Sequence, residues 1–251
     1  MSTEAKRVWP EGYDRIVLDT VDSTNAEAAR IAPQLKRPTW IVAKTQTGGH
    51  GRRGRPWVTG PGNLAATLVF KPGGRAQDAA LRSFLAANAL FEALAMQVDR
   101  TELSVKWPND VLYRDGKIAG ILLESVTDGG RIGWLSVGIG VNLAHAPARR
   151  EADLIRPVSL ADFGGDPVDP LDFLDTFADC YATEERIFEE FGFQPIRETW
   201  LENAARLGER ITARTMREEI TGTFETVDEA GTLILQTAEG RVAITAADVY
   251  F

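Results

Sequence analysis

Lys44-Thr-Gln-Thr-Gly-Gly-His-Gly-Arg-Arg-Gly-Arg-Pro-Trp57 packs four glycines and three arginines into the eight positions from Gly48 to Arg55. Glycines let a backbone fold closely over a ligand and adopt φ > 0. The guanidinium groups of Arg52, Arg53 and Arg55 are planar donor forks matched to carboxylate or phosphate. Trp40-Ile-Val-Ala leads into this stretch as an apolar strand, and Asn63-Leu-Ala-Ala-Thr-Leu-Val-Phe70 leads out of it as another. The stretch therefore reads as a loop fixed at both ends by core strands, where binding chemistry usually sits. Residues 28–77 around it contain no Asp or Glu but nine basic residues: Arg30, Lys36, Arg37, Lys44, Arg52, Arg53, Arg55, Lys71 and Arg75. This segment carries +9 in a chain of net charge −8, leaving −17 for the remainder, so an anionic substrate is expected.

Known nucleotide-binding patterns do not account for the loop. Gly49-x-Gly51-x-x-Gly54 formally matches the dinucleotide-binding glycine spacing, but that pattern must open a helix, and Pro56, Gly60, Pro61 and Gly62 oppose one. The sequence holds no GxxxxGK[ST] phosphate loop and no GxSxG with a plausible triad.

Working outward toward the N-terminus, Arg15–Asp19 reads as a strand running into Asp22-Ser-Thr-Asn25, with a helix starting near Asn25. Ser23 or Thr24 can cap that helix, with Glu27 in its first turn. The same junction can present hydroxyls, an amide and free N–H groups to a ligand, and the two readings are compatible.

Toward the C-terminus, residues 77–98 carry a helical apolar face of Leu81, Phe84, Leu85, Phe91, Ala95 and Val98. Val105-Lys-Trp-Pro-Asn-Asp110 precedes a hairpin with its turn at Asp115-Gly116, a strong hairpin signal. Strict alternation puts Lys117 on the same face as Ala119, Ile121 and Leu123, and an inward lysine needs an anionic partner. Trp134–Leu143 is apolar at successive positions and reads as a central strand. Residues 144–168 read as irregular. Asp169-Pro170 caps a helix to about Phe191, and a second helix covers roughly 196–207. After Gly208 come four short strands with glycine-bearing turns, a small β-barrel that needs packing on the main domain to be stable.

The 251 residues allow one large and one small domain. A lone cysteine, Cys180, cannot make an internal disulfide, and His50 and His145 do not make a zinc site. Cys180 falls in an amphipathic segment, where packing is the expected role. There is no run of eighteen apolar residues and no secretory leader, so a cytoplasmic protein without membrane association is expected.

Taken together, Asp22-Ser-Thr-Asn25, Gln46 with Gly49–Trp57, Lys106-Trp-Pro-Asn-Asp110, Lys117-Ile-Ala-Gly-Ile-Leu-Leu-Glu124 and Gly138-Ile-Gly-Val-Asn142 resemble the bacterial biotin–protein ligases. Five motifs in order at compatible spacing make the resemblance specific, and it covers most of the chain. It implies an α+β fold: a mixed-sheet catalytic domain of the biotin/lipoate ligase type at 1–207 and an SH3-like C-terminal barrel at 208–251. Because the expected catalytic strand begins near Arg15, the monofunctional type is implied, without the winged helix-turn-helix and without specific DNA binding.

The implied chemistry joins the biotin carboxylate to the α-phosphate of ATP and passes biotin to one lysine of a biotin carboxyl carrier protein. Like charges must meet, each unit pair costing about 4 kcal/mol at 4 Å for an effective dielectric of ~20, so cations are required. By resemblance Lys117 and Arg52 act in catalysis, and Ser23, Thr24, Asn25, Gln46, His50 and Gly51 join them around biotin. Arg52, Arg53, Arg55, Trp57, Lys106, Asn109 and Asn142 attend the nucleotide, and Asp110 is the candidate ligand for Mg²⁺ arriving with ATP. A homodimer is allowed by the resemblance. His50 stands where the family pattern carries arginine, replacing a fixed charge with an imidazole.

Two other readings compete. A lipoate or octanoate ligase or transferase shares the catalytic fold, but the arginine-glycine loop and terminal barrel favour biotin. A nucleic-acid binder would explain the basic segment, but not the recurrence of Lys106, Asp110 and Lys117 about a hairpin.

Overall fold

A computed structural model describes residues 9–72, 76–128, 131–148, 155–164 and 166–251. Its main element is a seven-stranded mixed sheet in the order β1-β2-β3-β7-β6-β5-β4. The strands are β1 Asp14–Val21, β2 Thr39–Gln46, β3 Leu64–Phe70, β4 Leu103–Lys106, β5 Asp110–Tyr113, β6 Gly116–Asp128 and β7 Arg131–Val141. β1 and β2 are parallel and the remaining pairs antiparallel. The helices are α1 Thr24–Ile31, α2 Ala76–Ala80, α3 Arg82–Ala95, α4 Pro170–Phe191 and α5 Phe193–Glu202.

Strand alternation assigns the two faces. Leu64, Ala66 and Leu68 of β3 and Val137, Ile139 and Val141 of β7 join the large core with α3 and α4. Ile41 and Val69 turn the other way and pack with Ala28 and Ala32 at α1. On that second face β7 presents Ser136, Gly138 and Gly140, so it is central in the sheet but not apolar on both sides as its sequence suggests. Arg82 and Glu185 form a buried ion pair at 2.7 Å between α3 and α4.

The predicted caps form. The Ser23 side chain accepts from Ala26 N, and Asp169 accepts from Leu171 N and Asp172 N ahead of Pro170. The segment read as one helix over 77–98 is two, α2 and α3, and α5 ends five residues earlier than the reading to 207. Of the irregular stretch 144–168, residues 149–154 and 165 lie outside those described, as does Arg75.

The β5–β6 turn differs from the expected Asp115-Gly116. Tyr113 pairs with Gly116, and the turn residues are Arg114 (φ 49) and Asp115 (φ 59). Gly116 is instead required inside the strand, because a Cβ there would lie 2.3 Å from Val158 Cγ1. Val158 is pinned by its N–H to Lys117 O at 2.9 Å. Gly116→Ala is therefore expected to destabilise the fold by about 1–3 kcal/mol through overpacking, read as a lower urea midpoint at unchanged m-value.

The C-terminal region is a five-stranded antiparallel sheet ordered β11-β10-β9-β8-β12, one strand more than predicted. Its strands are β8 Arg210–Arg214, β9 Glu219–Val227, β10 Leu233–Thr237, β11 Gly240–Ile244 and β12 Asp248–Tyr250. Phe224, Leu233 and Leu235 belong to the same continuous core as α3 and α4. Trp107 Nε1 donates to Gly231 O at 3.0 Å, and the Trp200 and Phe224 rings meet edge to face.

Candidate active site

A cavity of about 450 Å³ opens on the α1 face of the sheet. The glycine-arginine loop covers it, the start of α1 and the strands β6 and β7 wall it, and Asp248 and Val249 of β12 close one side.

One wall is a string of polar side chains. Thr24 donates through its N–H (2.8 Å) and faces with its hydroxyl (3.1 Å) the Oε1 of Gln46, whose Nε2 donates to Thr59 Oγ1 at 3.1 Å. Thr67 Oγ1 lies 2.8 Å from Thr24 Oγ1 and 2.6 Å from Asn25 Oδ1. Asn25 Nδ2 donates to Glu124 Oε2 at 2.8 Å, and the other oxygen of Glu124 is 3.4 Å from His50 Nε2. Ser23, Thr24 and Asn25 are all buried, so this wall is fixed in place.

Glycines form the cavity floor. A Cβ on Gly138 would lie 2.2 Å from Asn25 Oδ1, and one on Gly140 would lie 2.2 Å from Trp57 Cε2. Gly120 pairs with Gly140 across β6 and β7, and the Trp57 indole rests on this bare patch.

The opposite end is cationic. Asp110 stands between Lys117 Nζ, 2.6 Å from Oδ1 in a contact poorly directed for a hydrogen bond, and Lys106 Nζ, 3.6 Å from Oδ2. Burial pushes the Asp110 carboxyl up, but the two ammonium groups outweigh it and hold the group below the usual carboxylate range. Burial pushes the Lys106 ammonium below the usual lysine range despite Asp110. Arg52 Nη1 donates to Asn109 Oδ1 at 3.2 Å, and Asn109 Nδ2 donates to Ile121 O at 2.7 Å.

Lys117 reaches this end because of a bulge. Val111 pairs with Ala119 and Leu112 with Lys117, leaving Ile118 as the extra residue. Ile118 and Ala119 both enter the core, and the Lys117 ammonium points to the Gly120 side. The alternation that put Lys117 with Ala119, Ile121 and Leu123 is thus broken one residue after Lys117. Its need for an anionic partner is met by Asp110.

In space the basic segment is not a single patch. Arg30 pairs with Asp22 and Glu27, Arg37 with Asp14, and Lys44 with Asp19. Within the loop, a tight turn at Arg52–Gly54 turns Arg53 and Arg55 onto Asp248 of the C-terminal sheet, Arg53 at 2.7 Å. The cations left at the cavity's charged end are Arg52, Lys106 and Lys117, drawn from three separate segments.

Of the residues singled out from sequence, Ser23, Thr24, Asn25, Gln46, His50, Gly51, Arg52, Arg55, Trp57, Lys106, Asn109, Asp110, Lys117 and Asn142 all line the cavity. Arg53 does not; it is exposed, with φ 57. Asn142 is anchored by donating to Val158 O at 3.0 Å. Sequence reasoning missed Thr67, Glu124, Asp248 and the glycine floor. Gly138-x-Gly140 inside a central strand was a readable sign of close approach, since glycine weakens a strand unless something must fit against it.

A family model described as the biotin/lipoate A/B protein ligase family matches residues 17–142, and one described as the biotin protein ligase C terminal domain matches 207–251. The biotin–[acetyl-CoA-carboxylase] ligase of Paracoccus denitrificans is 48% identical over 238 residues, spanning 94% of this chain and 99% of that protein. The bifunctional ligase/repressor BirA of Bacillus subtilis is 30% identical over 95% of this chain and 74% of its own length. Among solved structures, a biotin protein ligase from Aquifex aeolicus in complex with biotin and ATP superposes with a TM-score of 0.78 at 25% identity, covering 94% of this chain and 98% of that one.

Proposed function

The chain belongs to the biotin/lipoate A/B protein ligase family, and on that premise we propose how its residues divide the work of an ATP-dependent biotin–protein ligase. The reaction has two halves. A biotin carboxylate oxygen attacks the α-phosphorus of ATP, the bond to the β-phosphate oxygen breaks, and pyrophosphate leaves. A lysine amine of a biotin carboxyl carrier protein then attacks the acyl carbon of biotinyl-adenylate, loses a proton, and expels AMP.

The observation that carries the assignment is the division of one cavity into a wall of hydroxyl and amide side chains and a cationic end. Ser23, Thr24, Asn25 and Gln46 bind the ureido ring of biotin, while Trp57 and the glycine floor offer an apolar surface to the rest. The biotin carboxylate then lies toward Lys117, which leaves Asp110 to meet it and follows the charge onto the adenylate. Arg52, Lys106 and Asn109 receive the phosphates. Arg55 and Asn142 border the nucleotide, and Arg53 acts through Asp248 in fixing the loop. His50 and Gly51 close the loop over the intermediate and exclude water.

Mg²⁺ fits as a companion of ATP and not as a resident ion. Among the described residues no group of three His, Cys, Asp or Glu side chains could hold a metal. Asp110 offers one ionised oxygen pair between two ammonium groups, which suits an ion that brings phosphate oxygens with it. Bound there, the ion would neutralise phosphate charge.

We place the domain division at 208 and the protein in the cytoplasm; no described helix is long and apolar enough to cross a membrane. Specific DNA binding is not part of the proposal, because the loop arginines are turned onto Asp248, Asn109 and Ala247 O. A labelled promoter fragment shifted at physiological salt would contradict this. The function itself is tested by incubation with biotin, Mg-ATP and a carrier domain. One biotin should be added by intact mass, and an adduct with lipoate in its place would refute it.

His50 lines the cavity beside Glu124, so a charge placed there will be felt by the intermediate. His50→Arg is expected to slow biotinyl-adenylate release by about 3–10-fold, the value of one added charge-assisted contact. Stopped-flow release rates of the two proteins measure the effect.

A further inference from the structure

Thr67 belongs to no motif of the loop, the strand junctions or the cationic cluster, yet it sits at the crossing point of the polar wall. Its residue is fully buried, with 0% exposure, so it cannot touch a ligand. Its hydroxyl has one proton to give, and of its two neighbours only Asn25 Oδ1, at 2.6 Å, has none of its own. The Thr67 proton therefore goes to Asn25, and its oxygen is left to accept the proton of Thr24 at 2.8 Å.

At the other end of the Asn25 carboxamide, Glu124 fixes the same orientation independently. A carboxylate only accepts, so Nδ2 must face it at 2.8 Å, and Oδ1 must face Thr67. A flipped carboxamide would set Oδ1 against the carboxylate, two acceptors face to face with no proton between them, and turn Nδ2 toward Thr67.

Once wired this way, the wall has defined unused capacity. The Thr24 proton is drawn to Thr67 or to Gln46 Oε1, so the hydroxyl oxygen keeps lone pairs to accept with. Asn25 Nδ2 and Gln46 Nε2 each retain one N–H beyond those used on Glu124 and Thr59. Acceptor capacity beside donor capacity is the complement of a cyclic urea, whose N–H groups donate and whose carbonyl oxygen accepts.

We propose that Thr67 and Glu124 are positioning residues of the biotin subsite: by fixing the Asn25 carboxamide and the Thr24 hydroxyl from behind, they set the donor and acceptor pattern that reads the ureido group. This rests on the biotin-ligase reading above.

The test measures biotin and ATP affinities separately by calorimetry, with steady-state adenylate formation alongside. Thr67→Val keeps the shape and removes the proton, leaving Asn25 Oδ1 buried without a donor; biotin should bind about 10-fold more weakly. ATP affinity and kcat at saturating biotin should stay within about twofold, and Thr67→Ser should restore biotin binding. Glu124 is on the exposed side, its side chain 46% accessible, so Glu124→Ala tests the same point where folding is not at risk, again with a loss confined to biotin.

Unchanged biotin affinity in Thr67→Val or Glu124→Ala would overturn the assignment. So would equal losses for biotin and ATP, or failure of Thr67→Ser to rescue. An unaltered protein that binds no biotin would overturn both this assignment and the biotin-ligase reading, whereas normal binding by the unaltered protein with unchanged variants overturns this one alone.

Discussion

Lys117→Ala should lower the rate of pyrophosphate release by about 10²–10³-fold, the range found when one preorganised electrostatic contact to a developing charge is removed. Lys117 Nζ lies 5.5 Å from the centroid of the Trp57 ring that rests on the glycine floor, so it borders both that floor and the cationic end. The bulge at Ile118 aims it there from a strand whose neighbouring residues face the core. Without it, Asp110 remains with Lys106 alone at 3.6 Å, and the approaching biotin carboxylate meets a neutral pair in place of a net positive one. Transfer from chemically supplied biotinyl-adenylate should suffer less, because its acyl carbon is already activated. Near-normal pyrophosphate release by a folded variant would remove Lys117 from the reaction.

Gly138→Ala is the second large effect expected, and it falls on biotin instead of on the chemistry. The new methyl would lie 2.2 Å from Asn25 Oδ1 and 3.0 Å from Nδ2. A free surface side chain would swing away, but this carboxamide is held by Thr67 on one side and Glu124 on the other. The strain must be relieved by moving Asn25 into the cavity or by tilting α1, and either change misplaces the first turn of that helix. An overpacking cost of about 1–3 kcal/mol taken from ligand binding corresponds to a KM for biotin higher by roughly 5- to 150-fold, with the KM for ATP nearly unchanged. If both KM values rise together, the floor is serving the whole cavity and not the biotin end.

Much of this site was legible because its chemistry is local. Ser23 and Asp169 announce helix starts by residue type, and the glycine-arginine loop between two apolar strands announces itself by composition. The illegible part is what the third dimension adds. Nothing in Leu112, Lys117 and Ile118 as residue types encodes a bulge, so strict alternation aimed Lys117 at the wrong face. The nine basic residues of 28–77 look concentrated along the chain, yet five of them meet carboxylates: Asp14, Asp19, Asp22, Glu27 and Asp248. Asp248 follows Arg55 by nearly two hundred residues, and pairing at that range leaves no sequence trace. Arg114 and Asp115 took the turn because Gly116 was claimed by Val158, a contact invisible in the Asp-Gly dipeptide.

The contact between the loop and β12 bears on how the protein can be handled. Arg53 and Arg55 share the Asp248 carboxylate, and Arg52 reaches the carbonyl oxygen of Ala247 at 3.4 Å. Phe251 is only three positions beyond that carboxylate, stacked under Arg206. A purification tag, fluorophore or fused enzyme attached beside β12 would pull on the anchorage of the covering loop, and its mobility would be passed to the arginines over the cavity. Such attachments belong on a surface remote from β12, such as the exposed C-terminal end of α4 around Phe191, where the residue is 64% exposed.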